Sequence, residues 1–132
     1  MQKKNLLSLI LRLVVAIIFL QTLYFKFTGH PDSVHIFSAL GLEPYGRIGL
    51  GVTELITSVL ILLPRTKIFG ILLSFGIILG AIFSHFLVLG LQVQGDGGGL
   101  FTLALVVMTA CLILLFLHKK EVEQFIKGIF NK

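Results

Sequence analysis

Charge is scarce in this sequence. Of its 132 residues, 13% are Asp, Glu, Lys or Arg, 56% are hydrophobic, and the mean hydropathy is +1.02. Soluble domains average about 25% charged and about 45–50% apolar residues, and a chain this short cannot bury so large an apolar fraction in a core of its own. A soluble multidomain enzyme and a disordered chain are both excluded. Cysteine is nearly absent as well: Cys111 stands alone, which excludes an intramolecular disulfide and dithiol chemistry within the chain. Period-two alternation over about ten residues, the mark of a membrane β-barrel, is also missing.

What is present is four long apolar runs, at about residues 6–27, 45–63, 68–91 and 100–117. Each is near the roughly 20 residues that a helix needs to cross a bilayer. Residues 1–132 therefore read as a single all-α domain, an integral membrane four-helix bundle. The first run follows Lys3 and Lys4 as a signal peptide would. It is long, however, carries Arg12, and ends in Lys26-Phe27-Thr28 with no small-residue cleavage pattern, so it reads as a retained helix. Two segments are amphipathic rather than spanning. In residues 31–44, Val34, Phe37 and Leu40 recur at helical spacing. In residues 121–131, Val122, Phe125, Ile126 and Ile129 share one side, with Lys127 and Lys132 off it. Both read as helices lying at the interface.

The net charge of +5 is no nucleic-acid footprint, because the cations flank the apolar runs. Four crossings bring both ends of the chain to one side. That side carries Lys3, Lys4, Arg65, Lys67, Lys119, Lys120, Lys127 and Lys132; the other carries Lys26 and Arg47. The asymmetry predicts cytoplasmic termini in a cell membrane such as the bacterial inner membrane.

A charge near mid-membrane costs about 2.5–3.5 kcal/mol on insertion scales, so each needs a reason. Arg12, Phe19 and Lys26 recur at intervals of seven, on one face with Ala16 and Leu23. Arg47, Gly51, Glu54 and Ser58 share a face of the second run; Ser74, Ala81 and His85 mark the third, and Thr102 and Thr109 the fourth. The economical packing turns all four stripes inward. At about 1.5 Å per residue, Glu54 lies about 13 Å, Gln21 about 10 Å and His85 about 8 Å below the outer surface. Gln21, Tyr24, Lys26, Glu54 and His85 are thus expected to converge in the outer half as a ligand pocket. Arg12 lies deeper and can snorkel to the cytoplasmic side. The alternative is a purely structural network, with Glu54 protonated or paired with Lys26, Arg47 or His85. Arg12, Arg47, Ser58 and Thr102 are assigned to such a network in either case.

Other features point to packing or solvent. The spacing of His30, Asp32 and His35 matches no metal-site signature, so no metal is expected. The glycine run Gly95–Gly99 lacks the Lys-Ser/Thr of a phosphate loop and reads as a flexible lead into the fourth helix, capped by Asp96. Cys111 reads as a packed thiol, and Gly76 and Gly80 as a close helix contact. Phe19, Phe83 and Phe86 either stack on a quinone ring or simply pack.

Several segments together carry a resemblance: Arg12-Leu13…Phe19…Lys26-Phe27-Thr28-Gly29, Phe37-Ser38-Ala39-Leu40-Gly41-Leu42, Gly51-Val52-Thr53-Glu54-Leu55, Leu62-Leu63-Pro64-Arg65-Thr66 and Gly80-Ala81-Ile82-Phe83-Ser84-His85. In this order, over about residues 6–117, the chain resembles the DoxX-like family of small membrane proteins. The resemblance implies a four-helix bundle with Arg12, Lys26, Glu54 and His85 at the family's polar positions. It also implies work beside redox partners, or the assembly of other membrane proteins.

Two functions follow as expectations. One is a redox-linked accessory subunit that binds a quinone-like or other small amphiphile in the outer pocket. The other is a non-catalytic chaperone or assembly factor whose partner is a membrane protein. Transport ranks behind both, since four short helices leave little room for alternating access without a homo-oligomer.

Overall fold

A computed structural model describes residues 2–93 and 95–131. The helices are α1 (Gln2–Thr28), α2 (Pro31–Ala39), α3 (Tyr45–Leu62), α4 (Lys67–Ser84), α5 (Gly99–Leu117) and α6 (Lys119–Phe130). α4 runs on into a π-helical turn, His85–Leu89. No strand occurs among the described residues.

The four long helices, with the π-turn counted into the third, are each long and apolar enough to cross a membrane. α1, at 27 residues, reaches about 40 Å, beyond the roughly 30 Å hydrocarbon core; Lys3 and Lys4 stand at its exposed start. α2 and α6 are the two short amphipathic helices. Large apolar side chains such as Leu20, Ile56, Phe83 and Leu112 are exposed on the outer surface. In a bilayer they meet lipid, while the helical backbone satisfies its own hydrogen bonds.

α1 and α4 stand on opposite sides of the bundle, each packed against both α3 and α5. The core fills one half of it: Val15, Ala16 and Phe19 of α1 meet Ile61, Ile71, Val107, Cys111 and Leu114. α3 and α4 approach closely near the turn where Pro64 follows the end of α3. There a Cβ on Gly70 would lie 2.5 Å from the Ile61 nitrogen.

The end of the bundle where α1 starts and α5 finishes is tied by polar contacts. Ser8 Oγ lies 2.8 Å from His118 Nε2, and His118 Nδ1 lies 3.0 Å from Glu121 Oε1. Arg12 Nε donates to Ser8 Oγ at 3.2 Å, and its Nη1 donates to the Ile61 carbonyl at 3.0 Å. Arg12, which could have snorkelled, is buried in a polar network and caps the last turn of α3, whose carbonyls have no intrahelical partner.

Two sequence expectations are corrected. Thr102 and Thr109 face outward, and Ala104, Val107 and Ala110 turn inward in their place. Each threonine donates to the carbonyl four residues earlier, at 2.8 and 2.9 Å, so its hydroxyl can face lipid with its bond already made. Thr102 therefore stands outside any inward network. Gly76 and Gly80 make no close helix contact, since a Cβ on either meets nothing within 4 Å. Of the phenylalanines left between stacking and packing, Phe86 packs edge-on to Phe101, and both Phe83 and Phe86 are exposed. Helix α2 buries Ser33 and Phe37 beneath it.

Candidate functional site

At the end opposite the Ser8–His118 contact, the bundle holds a half-open cavity of about 610 Å³, within the size range of small-molecule sites. Its position follows from side-chain size. The core half is closed by branched and aromatic side chains, while Gly76, Gly80 and Ala81 of α4 and Ala104 of α5 line the open half. α2 covers it with Ser33, Ile36 and Phe37. The helix is set over the bundle by Pro31 in its first turn and by the left-handed glycines that bracket it, Gly29 at φ 69° and Gly41 at φ 73°.

Four of the five residues expected at the pocket, Gln21, Lys26, Glu54 and His85, line this cavity. Lys26 Nζ of α1 lies 3.0 Å from Glu54 Oε2 of α3, with both side chains almost fully buried. Thr22, one turn before Lys26, accepts from Nζ at 3.0 Å. Its own proton serves either Glu54 Oε2 at 3.0 Å or the Phe19 carbonyl at 2.8 Å. Both contacts to the carboxylate fall on Oε2, so Oε1 keeps access to the cavity that Glu54 lines.

His85 enters from the π-turn and is 3% exposed. Its Nδ1 is 2.9 Å from the Gly90 carbonyl. A carbonyl can only accept, so Nδ1 carries a proton, and a neutral ring then offers Nε2 as an acceptor. The Phe101 ring packs edge-on at 5.2 Å and holds the imidazole in place. The π-turn itself lets the Gly90 amide reach the His85 carbonyl at 2.7 Å before Gly90 leaves the helix at φ 76°.

The remaining residues fall as follows. Gln21 lines the cavity; Tyr24 does not. Tyr24 is 65% exposed, turned away on α1 against Phe25, because two positions along a helix from Lys26 is close to the opposite face. Arg47 lies outside the cavity. It is bound to Glu43 at 2.8–3.0 Å, and its Nη1 donates to the Lys26 carbonyl at the end of α1. Ser58 Oγ donates to the Glu54 carbonyl at 2.8 Å.

Sequence reasoning missed Thr22, Phe25, Ser33 and Phe37, all of which line the site. Thr22 was within reach of that reasoning, since it shares a helix face with Phe19 and Lys26. The α2 residues depend on how that helix folds back. Asp96, expected as a cap, also lines the cavity. Its Oδ1 accepts from the Gly98 and Val93 amides at 2.8 and 3.0 Å, and its Oδ2 from Leu100 at 3.0 Å. These amides hold its carboxyl below the usual carboxylate range, the Leu100 bond contributing most.

A family model described as the DoxX-like family matches residues 10–117. The chain belongs to this family. No curated protein and no solved structure matches it. The matched span of this DoxX-like protein runs from just before Arg12 to the end of α5, so it contains α1 from residue 10 onward, the other three long helices, α2 and every cavity-lining residue named above. The family and the four apolar helices together make it a multi-pass membrane protein.

Proposed function

We propose that this DoxX-like protein is a redox-linked accessory subunit that holds a quinone-like or similar small amphiphile in the cavity, polar end toward Glu54 and His85. One observation carries the reading. Two nearly buried polar side chains, each with an atom left over from the protein's own hydrogen bonds, line a cavity whose other walls are mostly apolar. A few convergent polar groups in a mostly apolar pocket are what orient a small ligand.

Each residue has a part. His85 Nε2 and Glu54 Oε1 accept hydrogen bonds from hydroxyl groups of the head group, as a quinone's reduced, dihydroxy form offers them. Lys26 stabilises negative charge that develops on a ligand oxygen, an effect strengthened by the dry surroundings. Thr22 holds the Lys26 ammonium and the Glu54 carboxylate in register. Phe19, Phe25 and Ile77 enclose the apolar part. A bound quinone supplies the electron chemistry; the chain supplies position, hydrogen bonds and exclusion of water. From the cation asymmetry of the loops we infer further that the Ser8–His118 end, with both termini, faces the cytoplasm of a cell membrane. The cavity then opens to the outer leaflet.

Mass spectrometry of what co-purifies with gently extracted wild-type protein and with Glu54→Gln tests the reading. A small neutral amphiphile in the wild type, depleted from a folded variant, is the expected result. A stoichiometric partner protein with no small molecule would instead assign the chain to assembly work and leave Glu54 a structural residue.

A further inference from the structure

Helix α6 carries an apolar edge that the bundle does not cover. Its start is fixed: buried His118 links it to Ser8 and Glu121, and Phe125 packs on Phe69 in the first turn of α4, with ring centroids 6.1 Å apart. The helix therefore turns at His118 and crosses the end of the bundle instead of prolonging α5. Yet none of its residues is buried, and a helix of 12 residues is marginal in water on its own. Ile126, Ile129 and Phe130 are all exposed, Phe130 by 81%. We propose that this edge docks α6 on the bilayer surface, and that the surface it fits carries anionic phospholipid head groups.

Direction comes from Lys119. Its Nζ lies 5.4 Å from the ring of Phe116, an exposed side chain on the lipid-facing surface of α5. At about 100° per residue, Lys119 falls between Ile126 and Phe130 around the helix, so the side of α6 that meets Phe116 is the side with the exposed apolar edge. Sign comes from the other cations. Lys127 and Lys120 follow within about 80° of Phe130, with Glu123 the one acid among them. Lys4 of α1 and Lys67 of α4 stand close enough to act on the Glu121 carboxylate, which His118 already holds, and Lys3 and Arg65 are exposed at the same end. The surplus is positive. Each lysine near an anionic surface strengthens binding about fivefold, whereas a zwitterionic surface engages the apolar edge alone. An acidic protein would answer the lysines and leave unexplained an apolar edge set beside lipid-facing Phe116.

The chain contains no tryptophan, so Phe130→Trp is a single fluorescent reporter of this edge. The whole chain carrying it is reconstituted into vesicles of phosphatidylcholine alone or of phosphatidylcholine mixed with phosphatidylglycerol, with brominated acyl chains as quenchers. In the mixed vesicles the emission is expected to be blue-shifted and quenched, and in phosphatidylcholine alone red-shifted and far less quenched. High salt should move the mixed vesicles toward the phosphatidylcholine result. Lys120→Gln together with Lys127→Gln, at exposed positions outside the cavity, should do the same, weakening docking about 30-fold without lowering the melting temperature of the bundle. The proposal is overturned if quenching is equal in the two lipids, since the apolar edge alone would then hold the helix. It is overturned as well if salt and the lysine substitutions leave the quenching unchanged. Absence of quenching in both lipids also overturns it, and leaves the edge to a protein partner.

Discussion

Thr22 Oγ1 lies 3.0 Å from Lys26 Nζ and 3.0 Å from Glu54 Oε2, so one hydroxyl on α1 bridges a cation on its own helix to a carboxylate on α3. The same two charged groups also meet directly at 3.0 Å. Both are nearly buried, so removing one strands the other. Lys26→Met is expected to cost about 3–5 kcal/mol of stability, and Lys26→Met combined with Glu54→Leu to recover most of it. Glu54→Gln costs less, because the amide keeps the contact with Thr22. A double-mutant cycle read by thermal unfolding measures the coupling. A value below about 0.5 kcal/mol, the range of independent sites, would show that the pair does not stabilise the bundle.

The glycines of α4 separate a packed position from an exposed one. Gly70→Ala drives a Cβ to 2.5 and 2.6 Å from the Ile61 nitrogen and Cα. Backbone cannot step aside as a side chain can, so a loss of about 1–3 kcal/mol is expected. Gly76→Ala meets nothing within 4 Å and is expected to gain up to about 1 kcal/mol from helix propensity. Unfolding of the two variants side by side checks the opposite signs.

The contacts at the start of α6 give a pH dependence. The hydrogen bond from His118 holds the Glu121 carboxyl below the usual carboxylate range, with the charges of His118, Lys67 and Lys4 adding to it. A depressed carboxyl contributes stability that is present above the ordinary pKa of about 4.3 and lost as pH falls through the lower folded value. Hydrogen exchange of residues 119–130 is therefore expected to quicken as pH drops from about 5 toward 3, after correction for intrinsic rates. In Glu121→Gln that quickening should be absent. Equal pH dependence in both proteins would remove the ion pair from the account.

Asp96 organises the loop that borders the cavity. Its two carboxylate oxygens accept from three backbone amides around a stretch with Gly95, Gly97 and Gly98 all at positive φ. Asp96→Ala is expected to cost about 1 kcal/mol, as loss of a helix cap does. Exchange should speed up at the Gly98 and Leu100 amides, with the core of α5 unaffected. NMR exchange rates at those amides decide it.

Much of this was legible in the residues. Run length alone gave the four long helices to within a few residues, because a membrane imposes a minimum length and forbids charge. For the same reason Lys26, Glu54 and His85 stood out and were placed at one end of the bundle. Thr102 misled because a threonine hydroxyl can bond its own helix backbone, so a polar side chain need not face inward. Gly76 and Gly80 misled because a small-residue pair is the same pattern whether a helix or a void lies over it. Ser8, His118 and Glu121 meet across 110 positions of sequence, and no local pattern announces such a contact. The cover formed by α2 depends on the glycine-bracketed turns that fold it back, and the spacing of its apolar residues says nothing of that.

The most direct measurement is photolabelling in native membranes with an azido-quinone, the modified residues being mapped by mass spectrometry. The account predicts label on the cavity faces of α1 and α4, among Gln21, Thr22 and Phe25 and among Gly80, Ala81 and Ser84. That label should be competed by decylubiquinone and diminished in Glu54→Gln. Label confined to outward residues such as Leu20 and Phe83, and insensitive to competitor, would contradict it: the analogue would then be reporting lipid around the bundle and no ligand within it.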